Sequence, residues 1–139
     1  MDKGIAEFIR LFENESHEIF REATRRVSNS LVRLSPVDEG EFVANWELAK
    51  NRNPDDPERA DDPKKRLTRK RLRDLISSGQ YGDTFIFTNR DPVGPRLEFG
   101  YSSQAPQGIT RLTSRRWRRF VRGAARAAQA RVGKKVFNQ

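Results

Sequence analysis

The sequence predicts an α+β domain, a small mixed or antiparallel sheet packed by a long N-terminal helix and a basic C-terminal helix. Three patterns carry this expectation. Apolar residues recur at steps of mostly three and four over residues 5–34, and a β-branched and aromatic run, TFIFTN, occupies 84–89. A second helical stripe follows, with Trp117, Phe120, Val121, Ala124, Ala128 and Val132 on one side. The 139 residues suit one domain, 1–139, able to bury roughly two-thirds of the surface its unfolded chain exposes.

The first stripe runs from Ile5 through Phe8, Ile9, Phe12, Ile19, Phe20, Ala23, Val27 and Leu31 to Leu34. Unbroken, such a helix spans roughly 45 Å at 1.5 Å per residue, so it must line the domain edge or reach into a neighbouring molecule. Ser35-Pro36 ends it, because the residue before proline is pushed out of the α region. SPVDEGEF (35–42) is turn chemistry, with Pro36 fixing φ, Asp38 bonding nearby backbone and Gly40 permitting positive φ. FVANWELA then enters a short strand through Trp46 and Leu48. Residues 51–63 hold three prolines, no large apolar side chain and the acids Asp55, Asp56, Glu58, Asp61 and Asp62, which predicts an exposed, mobile charged loop.

A basic helix follows, with a thin stripe of Leu67, Leu72, Leu75 and Ile76, and stops at Gly79. After the TFIFTN strand, residues 92–108 are rich in Gly, Pro and Ser yet carry Leu97, Phe99 and Tyr101. Such a loop should be held against the domain or a partner. ITRLT (109–113) reads as one more strand and Ser114 as the N-cap of the last helix.

The net charge of +9 resides mainly in two places. One is the run Lys64, Lys65, Arg66, Arg69, Lys70, Arg71 and Arg73; the other is the final segment, which has no acid from residue 111 onward. On the last helix Arg115, Arg118, Arg119, Arg122 and Arg126 gather opposite Trp117 and Phe120, with no i,i+4 carboxylate to neutralise them. Arg115 and Arg116 fall in its expected first turn, where the helix dipole disfavours cations by a few tenths of a kcal/mol. A solvated face, an acidic protein partner and nucleic acid all fit this pattern.

Enzyme chemistry finds little to work with. The chain has no Cys and one His, His17, among the apolar positions of the first helix, where a solvated or edge position is expected. The acids at 55–62 lack the spacing and turn glycine of an EF-hand, and no nucleotide-binding glycine loop occurs. No cofactor, metal, small-molecule substrate or membrane span is expected, and MDKGIAEFIRLFENES lacks the apolar core of a signal peptide.

Three segments, in order, resemble one family. SPVDEGEFVANW (35–46) is similar to its PVDTG, short helix and aromatic element, through Pro36, Asp38, Gly40 and Trp46. FIFTNRDPVGPRLEFG (85–100) is similar to its strand, Asn, Pro-Tyr-Ala and Leu-Glu-aromatic-Gly element, through Asn89, Pro92, Leu97, Glu98 and Gly100. SSQAPQGITRLT (102–113) is similar to its Ala-Pro-x-Gly strand, through Ala105, Pro106 and Gly108. The family is that of the tail-completion, or head-to-tail joining, minor tail proteins of tailed bacteriophages. Glu39 replaces its usual Thr, and Val93-Gly94 its usual Tyr-Ala.

The resemblance implies a non-enzymatic structural virion protein at the head-tail junction, assembled in the host cytoplasm as a homo-oligomeric ring of six. Its expected neighbours are the head connector or stopper on one side and the tail tube or tail terminator on the other, with DNA passing through the ring. A tail terminator capping the tail tube and a sequence-nonspecific nucleic-acid-binding module are the other readings. Glu98, between Leu97 and Phe99, is expected to pair with Arg111 and fix the loop at 98–111.

Overall fold

A computed structural model describes residues 3–137, apart from the side chains of Phe8 and residues 132–137. The long helix is α1 (Lys3–Leu34), about 48 Å at 1.5 Å per residue. It ends as the sequence predicts, with the Ser35 hydroxyl turned back onto the Leu31 carbonyl at 2.7 Å. Helix α2 (Glu41–Ala44) and strand β1 (Trp46–Lys50) follow, then α3 (Arg66–Ile76) and strand β2 (Phe85–Asn89). The strands form a two-stranded antiparallel sheet in the register Trp46–Asn89 to Lys50–Phe85. Short α4 (Gly94–Glu98) and α5 (Thr110–Arg115) lead into α6 (Trp117–Phe137), which packs along α1. The α+β class, the long N-terminal helix and the C-terminal helix are as expected.

The core lies where α1, α3 and β1 meet, around Val32, Val43, Trp46, Leu48, Leu72 and Ile76. Trp46 joins packing to polarity, since its indole donates to the Ser35 hydroxyl at 2.7 Å while Phe42 packs edge-on at 6.0 Å between ring centroids. Trp46→Phe removes that bond and part of the ring from a closed site. It is expected to lower stability by about 2 kcal/mol in urea titration, with unchanged native far-ultraviolet dichroism.

Several sequence expectations change. ITRLT is not a strand: residues 110–115 are α5, because the Glu98 carboxylate accepts the backbone N–H groups of Ile109, Thr110 and Arg111, as an N-cap would. Ser114 lies inside α5 and caps nothing. The chain breaks instead at Arg116, whose carbonyl accepts Phe120 N–H at 3.0 Å to begin α6. Arg115 thus sits in the last turn of α5, where the dipole favours a cation, reversing the cost expected for a first turn. On α3 the buried face is Thr68, Leu72 and Ile76, at a strict i, i+4, i+8 spacing, while Leu67 and Leu75 face outward. On α6 Ala124 and Ala128 are buried but Trp117 is 46% exposed, and the side chain of Val132 lies outside the described residues.

The 51–63 segment has no regular structure, yet it is fastened along its length. Arg90 donates to the carbonyls of Pro54 and Asp55, Arg59 pairs with Glu47 on β1, and Asp62 N–H donates to the Gly40 carbonyl at 3.0 Å. Asp62 is itself buried and caps α3 by accepting Thr68 N–H at 2.8 Å.

Candidate assembly surface

The motif residues converge. Pro36, Asp38 and Gly40 line a hollow of about 390 Å³ together with Asp91, Leu97 and Gln104. Gln104 bridges to the 35–42 turn by accepting Val37 N–H at 3.0 Å and donating to the Val37 carbonyl at 3.4 Å. Asn89 donates to the Phe42 carbonyl at 2.8 Å and accepts Asp91 N–H at 3.1 Å. Asp91, directly before exposed Pro92, accepts from the Asn45 side-chain amide at 3.2 Å and from Val93 N–H at 3.0 Å.

Glu98 and Arg111 pair at 3.5 Å as expected, and the Arg111 guanidinium also donates to the Glu98 carbonyl. Gly100 and Gly108 both have positive φ and press on backbone: a Cβ on either would lie 2.6 Å from a carbonyl oxygen, of Pro106 and Glu98 respectively. Ala105 is buried beside them. Asp38 departs from expectation, for it is exposed and makes no hydrogen bond among the described residues. The turn is held instead by the backbone N–H of Asp62, supplied from the next loop, while the Asp62 carboxylate caps α3. A sequence reading had no signal for that, since Asp62 resembles the four other acids around it.

The knot of loops presents an aromatic tip. Leu97 packs inward, but Phe99 and Tyr101 are 71% and 80% exposed, so only part of this segment is held against the domain. Arg111 covers one face of Phe99 at 5.3 Å. A second apolar surface is the N-terminal part of α1. The stripe that buries Ala23 and Leu31 continues toward the N-terminus through Ile9 and Ile5, both exposed. Where α1 lies against the domain there is an open groove of about 410 Å³, walled by Phe20 and Val27 of α1, Phe85 and Phe87 of β2, and Trp117. Phe20 and Phe85 stack within it at 5.7 Å between ring centroids.

Arg118, Arg119, Arg122 and Arg126 are all exposed on α6, and Arg115, also exposed, belongs to the end of α5 and not to the same helix. None of the five makes an ion pair among the described residues. His17 is an edge residue that accepts Tyr81 N–H at 2.8 Å through Nδ1, tying α1 to the turn before β2. Among the described residues no group of three His, Cys, Asp or Glu is placed to hold a metal, and no helix is long and apolar enough to cross a membrane. No family model, curated protein or solved structure matches the chain.

Proposed function

We propose that this chain is a non-enzymatic structural protein of a tailed-phage virion, a ring-forming subunit that joins head to tail. The observation that carries the reading is the uncovered apolar stripe of α1. Ile5 and Ile9 extend a face that is core one turn after another further along the same helix, and a matching groove lies open on the same chain. A projecting apolar helix and a groove are different surfaces, so pairing one with the other in the next copy is head-to-tail and closes into a ring when the rotation allows. The motif residues fit a subunit role, since they shape loops and offer Phe99 and Tyr101 to a neighbour. The order of those motifs is what points to the head-tail junction, between the head connector or stopper and the tail.

The test is assembly. Light scattering of the purified chain, alone and with a connector or tail-tube protein, should reveal a ring or a co-complex. Ile5→Glu with Ile9→Glu should leave the thermal midpoint unchanged and weaken assembly by at least about 100-fold, because each buried isoleucine contributes roughly 1.5–3 kcal/mol. Normal assembly by the double variant would remove α1 from the interface. Particles made without the protein should separate into filled heads and tails; intact virions would sink the joining role, and tails of uncontrolled length would assign the chain to capping the tail tube.

A further inference from the structure

Three basic stretches that are far apart in sequence meet in space. Arg26 and Arg33 on α1, Arg69 on α3 and Arg119 on α6 line one open cleft of about 470 Å³, with Asn29, Ser30 and Phe120 completing its walls. Arg26 is engaged by Glu22 at 3.2 Å. Arg33, Arg69 and Arg119 make no ion pair among the described residues, and no acidic side chain lines the cleft. Lys65 adds a further charge at the rim, donating to the Arg33 carbonyl at 3.0 Å. Its pKa is held below the ordinary lysine value by burial and then by the charge of Arg69.

Like charges are gathered here against their mutual repulsion. Arg33 profits from the α1 C-terminal dipole, but Arg69 and Arg119 gain nothing comparable from their positions. Gly123 contributes to the arrangement. A Cβ there would lie 2.3 Å from an Arg26 guanidinium nitrogen, so the bare backbone of α6 lets that side chain lie close against it.

We infer that this α1–α3–α6 cleft is a binding site for the phosphodiester backbone of a nucleic acid, read without regard to sequence. One carboxylate cannot neutralise a cluster of this size in so small a space. A nucleic-acid backbone carries negative charge at the required density, about one per 1.7 Å of duplex axis. Guanidinium forks match phosphate oxygens in pairs, which suits arginine in all four positions. Four guanidinium groups dominate the lining; Ser30 is buried against Thr113 and Asn29 is the single side-chain amide, so the cleft is suited to hold a backbone and not to select a sequence. The inference goes beyond the assembly role, because a single chain carries the whole site.

Fluorescence anisotropy of a labelled random-sequence 20-base-pair DNA, titrated with the full-length chain, tests it. If the cleft neutralises about three phosphates, affinity should fall about 40-fold between 50 and 200 mM salt. Arg33→Gln, Arg69→Gln and Arg119→Gln should each flatten the log–log salt slope by about 0.9. Arg96→Gln, an equal loss of charge on α4, should leave the slope unchanged. Single-stranded RNA of equal length, run in parallel, tells which nucleic acid supplies the backbone, and binding of either supports the site. Equal losses from Arg96→Gln and Arg69→Gln would overturn it, since binding would then follow overall charge. Failure to bind at 50 mM salt would overturn it too, as would polyglutamate of matched charge competing as well as nucleic acid. None of these outcomes depends on whether the chain forms a ring.

Discussion

Gly40→Ala is expected to destabilise the domain by at least about 3 kcal/mol, seen as a fall of about 10 °C in the thermal midpoint. Gly40 has φ 94°, a region that an L-residue occupies at a cost of roughly 1 kcal/mol. The larger part is steric. A Cβ would stand 2.3 Å from the Pro63 nitrogen and 2.6 Å from the Asp62 carbonyl carbon, both backbone atoms that no rotamer change can move aside. The two segments are also stitched together, because the Gly40 carbonyl accepts both Asp62 N–H at 3.0 Å and Ala44 N–H at 3.3 Å. Moving them apart would strain the Asp62 cap on α3 and, through it, the buried Leu72–Ile76 face. Gly82→Ala is the control: φ is 101° but nothing lies within 4 Å, so only the conformational cost of about 1 kcal/mol should appear. Equal shifts at the two positions would show that the contact with residues 62–63 is immaterial.

That contact also shows what a sequence can and cannot convey. Helical periodicity and the Ser35-Pro36 stop located α1 to within a few residues, and TFIFTN located β2, because both signals are local. ITRLT misled for the same reason. Its alternation is compatible with a strand, and the decision came from Glu98, eleven residues upstream of Ile109, whose carboxylate takes the first N–H groups of α5. The charged 51–63 loop likewise carried no local sign of its anchors, since Arg59, Asp62 and Arg90 are ordinary polar residues until Glu47, Gly40 and Pro54 arrive from elsewhere. The arginine face of α6 was legible as a face. Its junction with Arg33 and Arg69 was not, because three helices must pack before those residues become neighbours.

Glu98→Gln should lower stability by about 2 kcal/mol at pH 7, a midpoint shift of roughly 7 °C. The carboxylate accepts Ile109 N–H at 3.0 Å, the N–H of Thr110 and, more weakly, Arg111 N–H at 3.4 Å, while its ion pair with Arg111 is half exposed. An amide retains one acceptor oxygen and turns an NH2 group toward the remaining donors, so part of the cap becomes a repulsive contact. The exposed pair contributes less than about 1 kcal/mol by itself, so Arg111→Gln should be the milder change. Acidity supplies an independent check. Burial raises the Glu98 pKa, but hydrogen bonds from the Thr110 side chain and from the backbone of residues 109–111 outweigh it and hold it below the ordinary value of 4.5. A carboxyl with a depressed folded-state pKa stabilises fully above its unfolded value and loses that contribution as pH falls through the folded one. The stability gap between wild type and Glu98→Gln should therefore be constant from pH 7 to about 5 and narrow below 4.5. A gap that persisted undiminished to pH 2 would mean that the carboxylate's charge does not hold α5 in place, and the loop at 98–111 would owe its shape to Gly100 and Gly108 alone.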